Sequence, residues 1–249
     1  MRTSITGLSA LAIAILSTPA YAQDETDPPE SSVTISGSAT VVSDYRFRGI
    51  SQTDKHFALQ GGIGLSHESG FYVSVWGSSI DDYVANGSDQ EIDFIGGWKK
   101  DFDGTVLDVG LLYYFYPGGN GANTDFFEPY VSVSHTLGPV SAKLTANYAW
   151  KQNALTVGNG KEDNLYVAGD FSTAIPETPL TLSAHIGHSF GPSYLTIGDE
   201  YTDWNVGVSY SYRNLTLGMQ YVDTDGTFIA PSGKNVSKGG VLASLGVAF

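Results

Sequence analysis

The 249-residue sequence contains no cysteine, and its 12 Lys and Arg residues are outnumbered by 26 Asp and Glu residues. Without cysteine the protein forms neither disulfides nor thiolate-ligated metal sites. The formal net charge of -14 disfavours nucleic-acid binding, because Lys and Arg are the residues that neutralise phosphates. Long apolar runs are also missing after the N-terminus, which excludes helical membrane spans.

Residues 1–22 have the pattern of a cleavable signal peptide. Arg2 precedes the apolar run GLSALAIAILS, and Ala20 and Ala22 supply small residues ahead of QDETD. Cleavage after Ala22 removes one Arg and no acid, so the formal charge moves from -14 to about -15. An uncleaved anchor is the less favoured alternative, because the run is much shorter than the ~20 residues of a membrane helix. Residues 23–32, acidic and broken by proline, are predicted to form a flexible periplasmic lead.

From residue 33 to residue 249 the chain alternates apolar with polar or small residues, which is the period of a β-strand. Tight turns and long polar loops alternate between the strands. This pattern predicts an all-β fold, a transmembrane antiparallel up-and-down β-barrel of about twelve strands with both termini in the periplasm of a bacterial cell. The predicted strands are 33–46, 57–67, 71–79, 90–99, 105–116, 126–136, 139–151, 163–172, 180–190, 202–212, 215–224 and 239–249.

The two faces of the strands differ in polarity. In YTDWNVGVSYSY, Val206 and Val208 share one parity, and Asp203 and Asn205 share the other. A soluble β-sandwich shows the same alternation, so the positions of the aromatic residues distinguish a membrane barrel from a sandwich. They gather at strand ends on the apolar parity, as the girdles of membrane barrels do. The final strand, GGVLASLGVAF, ends on Phe249 and resembles the C-terminal signal read by the barrel-assembly machinery, an expected partner beside outer-membrane lipid and lipopolysaccharide.

Three stretches carry a family resemblance: TVVSDYRFRGISQTDKHFALQGGIGLSHESGFYVSVWGSSI, DFIGGWKK and DVGLLYYFYPGG. They resemble the TorF family of porins, which are outer-membrane proteins of proteobacteria. The resemblance covers most of the mature chain and implies a β-barrel with a channel role. It supplies no catalytic or ligand residues.

The stretch SDYRFRGIS, residues 43–51, predicts a strand with Tyr45 and Phe47 facing lipid and the intervening charged residues facing the lumen. Arg on the lipid face near the midplane would cost ~2–4 kcal/mol, which this parity avoids. The same parity rule gives twelve pore-lining candidates. They are Asp44, Arg46, Arg48, Glu91, Asp93, Lys99, Asp108, Glu128, Lys143, Lys151, Asp170 and Asp203.

The predicted function is passive diffusion of small polar solutes or ions through an outer-membrane porin-like channel, with no cofactor. A barrel of about twelve strands lies between the filled eight-stranded and the wide sixteen-stranded types, so we expect a narrow pore. The excess of acids among the candidates suggests a weak cation preference. An alternative of equal weight is that these charges pair across the lumen and neutralise one another.

Two other functions are weighed against the channel. A lipid-modifying enzyme needs a Ser nucleophile beside a His base. His67 and Ser69 have same-face spacing but lie at a predicted periplasmic turn, and His188 and Ser189 point to opposite faces of a strand. We therefore predict that the protein is not an enzyme. A non-conducting structural or adhesive barrel is the third candidate. The sequence identifies no transported solute and no oligomeric state.

Overall fold

The computed structural model describes residues 32–158, 160–196 and 198–249. The predicted signal peptide, and the predicted lead except for Ser32, lie outside these residues.

Twelve strands form one closed antiparallel barrel. They are β1 (Val33–Val42), β4 (Ala58–His67), β5 (Phe71–Ser79), β6 (Gln90–Phe102), β7 (Thr105–Phe115), β8 (Phe126–Leu137), β9 (Val140–Ala149), β12 (Asn164–Ala174), β13 (Leu180–Phe190), β14 (Tyr201–Tyr212), β15 (Leu215–Thr224) and β16 (Gly240–Ala248). Two short hairpins lie in loops: β2 (Arg46–Phe47) with β3 (Ile50–Ser51), and β10 (Thr156–Val157) with β11 (Gly160–Lys161).

Each barrel strand pairs with its sequence neighbours, and β1 closes the cylinder by pairing with both β4 and β16. The β1–β16 register runs from Ser38 opposite Ala248 to Val42 opposite Ser244. Phe249 extends this seam, since its N–H donates to the Gly37 carbonyl (3.0 Å) and its carbonyl accepts from the Gly37 N–H (2.8 Å). The predicted closed barrel of twelve antiparallel strands is confirmed.

The apolar parity of the strands faces outward. Leu144 and Val206 are 63% and 57% exposed, whereas Asp203 and Asn205 are buried inside the cylinder. A soluble sandwich would reverse this arrangement, because its large apolar side chains form the core. The exterior is therefore a continuous apolar belt around a polar interior. Among the described residues, no helix is both long enough and apolar enough to cross a bilayer.

Short turns and long connections lie at opposite ends of the barrel, which we call the turn end and the loop end. The short turns are 68–70, 103–104, 138–139, 175–179 and 213–214. The long connections are L1 (43–57), L2 (80–89), L3 (116–125), L4 (150–163), L5 (191–200) and L6 (225–239). Side chains of L1, L2, L4 and L6 join clusters of buried apolar residues, so the loops fill much of the loop end.

The prediction for residues 43–51 is wrong in one respect. Strand β1 ends at Val42, and the chain then folds into the barrel as L1 instead of continuing along its wall. Tyr45 is 5% exposed and packs edge-on against Trp76, while Phe47 packs edge-on against Tyr114. Both rings therefore lie inside the cylinder, and neither faces lipid.

Candidate functional site

Loop L1 forms a hairpin whose tip lies inside the barrel. Its two short strands pair Arg46 with Ser51 and Phe47 with Ile50, and the tip between them is Arg48–Gly49. Both tip residues have a left-handed backbone, with φ of 48° and 80°. Glycine adopts this conformation readily, and at position 49 it is also required by space. A Cβ there would collide with Thr224 and would lie 2.9 Å from the Asp203 Cβ.

The base of L1 is held by a buried ion pair. Arg46 Nε lies 2.6 Å from Asp44 Oδ2, and Ser51 Oγ donates to the other carboxylate oxygen. Arg46 Nη1 donates to two carbonyls, those of Gly49 in L1 and Val236 in L6, both at 2.9 Å. This arginine therefore fixes the hairpin and ties it to L6.

Arg48 extends from the hairpin tip to the far wall of the barrel. Its Nη2 lies 2.6 Å from Glu128 Oε1 on β8, and its Nη1 donates to Asn164 Oδ1 on β12 at 2.9 Å. These two strands flank β9, which is opposite β1 in the twelve-strand order. The guanidinium also lies over the rings of Phe47 (4.7 Å) and Tyr166 (4.1 Å). L1 is thus a strut that crosses the lumen.

The electrostatics of Arg48 follow from this position. The Arg48 and Glu128 side chains are 6% and 0% exposed. Burial lowers the pKa of Arg48, but the Glu128 carboxylate outweighs it, so the pKa is raised above its ordinary value. Glu128 also accepts hydrogen bonds from Tyr114 Oη (3.0 Å) and Asn147 Nδ2 (3.2 Å). Both members of the pair therefore have hydrogen-bond partners besides each other, which a buried ion pair needs.

A second polar chain runs along the wall beneath Arg48. Tyr166 Oη donates to Asp203 Oδ2 at 3.0 Å and lies 2.9 Å from His185 Nε2. His185 Nδ1 lies 2.6 Å from Asp170 Oδ1. These residues belong to β12, β13 and β14, and they continue the line of polar groups from the hairpin tip toward the turn end.

The remaining candidates from the sequence occupy varied places. Glu91 accepts from Tyr45 Oη at 2.8 Å, and Asp108 accepts from Tyr72 Oη at 2.7 Å. Lys99 and Lys143 lie on inward positions of β6 and β9, the first exposed and the second half-buried. Asp93 lies on β6 and is buried. Lys151 lies in L4, exposed, with Nζ 3.2 Å from Glu162 Oε2. The pore-lining role of all twelve residues stays a prediction.

Sequence reasoning included Glu128 among the inward-facing residues but missed two other partners of Arg48, Asn164 and Tyr166. Asn164 and Tyr166 alternate along β12 with the same parity as Asp170, and that parity was the available signal that they face inward. No local pattern indicates that a residue of L1 binds them, because the contact spans 116 residues of sequence.

One group of three possible metal ligands with mutually close ligand atoms lies among the described residues, at the loop end. Atoms of Asp54, His56 and Asp81 lie within 4.8 Å of one another. Asp54, however, already accepts a hydrogen bond from Lys234 Nζ at 2.8 Å, and this bond lowers the pKa of Asp54. The ammonium supplies the positive charge that a metal would otherwise bring.

The Ser and His pairs have the following geometry. His67 Nδ1 lies 2.7 Å from Ser69 Oγ, and both residues are at least partly exposed at the turn end. His188 Nδ1 lies 3.0 Å from Thr202 Oγ1, while Ser189 is buried on the inward face of β13. His188 and Ser189 are thus directed apart, as the strand geometry predicts.

Comparisons with known proteins identify a family and a fold. A family model described as "Bacterial protein of unknown function (Gcw_chp)" matches residues 26–247. The structure is similar to the NanC porin (13% identity, 87% of this chain and 99% of that chain, TM-score 0.57). It is also similar to the COG4313 outer membrane channel from Pseudomonas putida F1 (14% identity, 90% and 99%, TM-score 0.50). At such identities the likeness shows the fold alone. None of the curated proteins searched matches the sequence. The matching family model does not carry the TorF name, so that resemblance stays a prediction.

Proposed function

Because this chain belongs to the Gcw_chp family of bacterial proteins, whose function is unknown, we propose a function from the barrel itself. The protein is an outer-membrane channel for passive diffusion of small polar solutes or ions. The observation that carries this proposal is the closed barrel with an apolar exterior and a lumen lined by charged side chains. A lumen lined by charged side chains suits the passage of polar, water-soluble solutes. The similarity in fold to a porin and to an outer membrane channel supports the same proposal.

Loop L1 sets the width of the channel. Its hairpin crosses the lumen and ends on the wall opposite β1, so a solute must pass beside Arg48 and its partners. We infer that the remaining passage is narrow, in keeping with the expectation for about twelve strands. We therefore assign the channel to small solutes and make L1 its constriction.

The lumen favours cations weakly. Pairing removes the charge of several candidates, since Asp44 binds Arg46 and Glu128 binds Arg48. Among the described candidate acids, Glu91, Asp93 and Asp108 take part in none of the salt bridges found. Unpaired acids in a pore attract cations. Glu91 and Asp93 are buried and Asp108 is half-buried, so the proposed cation preference depends mainly on Asp108.

The channel is placed in the outer membrane with its turn end and both termini in the periplasm, as the alternation of short and long connections suggests. Lipid and lipopolysaccharide surround the apolar belt. The strand that ends at Phe249 is the segment that the barrel-assembly machinery would bind.

Conductance across a planar bilayer tests the proposal. Refolded protein should give discrete steps, and the reversal potential in a KCl gradient should have the sign of a cation-preferring pore. Arg48→Ala should enlarge the steps, because L1 loses its anchor on the far wall. Lys151→Ala, which removes the same charge from an exposed loop residue, should leave them unchanged. An anion-selective reversal potential would contradict the cation preference.

The filling of the loop end by L1 favours a second candidate, a non-conducting structural barrel. The same experiment separates the two. A membrane that stays silent with wild-type protein and with Arg48→Ala, although both are folded, would favour the structural barrel and reject the channel.

A further inference from the structure

Asp93 is a buried acid without a partner. It lies on the inward face of β6, its exposed fraction is 0%, and neither carboxylate oxygen has a hydrogen-bond partner. Its neighbours on the adjoining strands are Trp76 and Tyr114, which carry no positive charge. An ionised carboxylate without compensation is costly to bury, so this one is neutralised either by a proton or by a bound cation.

The surroundings of Asp93 add negative charge. Glu91, two residues earlier on the same face, is 2% exposed and accepts hydrogen bonds from Tyr45 Oη and from the Tyr116 hydroxyl. Glu128 is the second carboxylate that acts on Asp93, and Arg48 neutralises it. With all three carboxylates ionised and one guanidinium beside them, this region, which is closed to solvent, has an excess of two negative charges.

These carboxylates affect the pKa values of two tyrosines in L1 and L3. Burial raises the pKa of Tyr45 in L1, and the nearby carboxylates of Glu91 and Asp93 raise it further. The same causes in the same order raise the pKa of Tyr116 in L3. Tyr45 and Tyr116 thus lie close enough to Glu91 and Asp93 to be affected by the charge of both acids.

We propose that this region, the Asp93 pocket, binds a divalent metal cation, with Asp93 and Glu91 as carboxylate ligands. The pocket is defined by Glu91, Asp93, Tyr114 and Glu128. Two excess negative charges match one divalent ion. The donors are oxygen atoms, and the chain has no cysteine, so the site suits a hard cation such as Ca²⁺ or Mg²⁺ and not a soft transition metal.

Such a cation would also stabilise the constriction. Glu91 holds Tyr45, which belongs to L1, so a metal that fixes Glu91 fixes one side of the hairpin. Arg48 fixes the other side through Glu128. The inference therefore assigns the Asp93 pocket a structural role at the root of L1, whether or not the barrel conducts.

Unfolding with and without metal tests this inference. Protein refolded from inclusion bodies, free of lipopolysaccharide and in neutral detergent, is treated with EDTA and then titrated with CaCl₂. The urea midpoint should rise with Ca²⁺ and keep rising with the logarithm of its concentration, because ligand that binds only the folded state stabilises it by mass action. Isothermal titration should give about one bound ion per chain by the same one-site scheme.

Asp93→Asn is the decisive variant, because it preserves size and removes the charge. It should fold, have a midpoint in EDTA at least equal to that of the wild type, and show no response to Ca²⁺. Asp81→Asn is the matched control, since it removes one carboxylate from the loop-end group of Asp54, His56 and Asp81. This control should respond like the wild type.

Three results would overturn the inference. They are a wild-type midpoint that neither Ca²⁺ nor Mg²⁺ moves, an Asp93→Asn response equal to that of the wild type, and a response lost in Asp81→Asn but kept in Asp93→Asn. If Asp93→Asn fails to fold, Glu91→Gln replaces it. Its apparent affinity for Ca²⁺ should fall at least about tenfold, and an unchanged affinity would reject the pocket as the site.

Discussion

Replacing Arg48 by Met should destabilise the protein strongly, because it leaves the Glu128 carboxylate buried without a cation. Met retains much of the length of the side chain, so the loss is mainly electrostatic. Removing one member of a buried ion pair costs about 3–5 kcal/mol. The Arg48 and Glu128 side chains are 6% and 0% exposed, so solvent screens little of this. Tyr114 and Asn147 still donate to Glu128, which places the expected loss toward the lower end.

The magnitude can be checked with a double replacement. Arg48→Met with Glu128→Gln removes both charges, and buried pairs replaced by neutral groups are often tolerated. The double variant should therefore be more stable than Arg48→Met alone. Urea unfolding in detergent, followed by tryptophan fluorescence, gives the free energies. Trp76 is a suitable reporter because its ring lies 5.6 Å from that of Tyr45 in L1.

Lys151→Met is the control for a lost positive charge. Its ammonium pairs with Glu162 on the surface, where solvent screens the pair, so the free energy of unfolding should stay close to that of the wild type. The reasoning fails if Arg48→Met costs as little as this control. It also fails if the double variant is as unstable as the single one, since the cost would then not come from the unpaired carboxylate.

Two further predictions concern pH and packing. The hydrogen bond from Lys234 lowers the pKa of Asp54, so their pairing stabilises the protein above about pH 4 and is lost as the pH falls through the lowered pKa. Between pH 6 and pH 3 the urea midpoint should consequently fall less in Lys234→Met than in the wild type, and equal slopes would contradict the pairing. Gly187→Ala should cost about 1–3 kcal/mol, because its Cβ would collide with the Tyr166 hydroxyl. Gly96→Ala, whose Cβ would meet only Val73 at 3.9 Å, should change the free energy of unfolding by no more than about 0.5 kcal/mol, and a similar loss in both variants would refute the packing argument.

The barrel wall could be predicted from the sequence because its pattern is local. Alternation of apolar and polar residues sets both the strands and their outward face, and the strands 71–79, 180–190 and 215–224 have the predicted bounds. The turns between strands follow from the same pattern. Each of these features depends on residues a few positions apart, so no knowledge of distant contacts is needed.

Loop L1 could not be predicted because its stability is not local. The alternation in SDYRFRGIS continues that of β1 and therefore predicts a longer strand. The actual path depends on the left-handed backbone at Arg48 and Gly49 and on partners in β8, β12 and L6. The charged residues were expected inside, and they are buried there. Tyr45 is also inside, because its hydroxyl has the Glu91 carboxylate to bind.

The strut across the lumen constrains the order in which the protein can assemble. Arg48 meets partners 80 and 116 residues later in the chain, and Arg46 meets one 190 residues later. Contacts between such distant residues carry a large loop-closure entropy and form late in folding. The arginines of the hairpin therefore lack these partners until most of the barrel strands have paired. Once β16 pairs with β1, the hairpin is enclosed, so the first long connection in the sequence is expected to be the last to reach its final position.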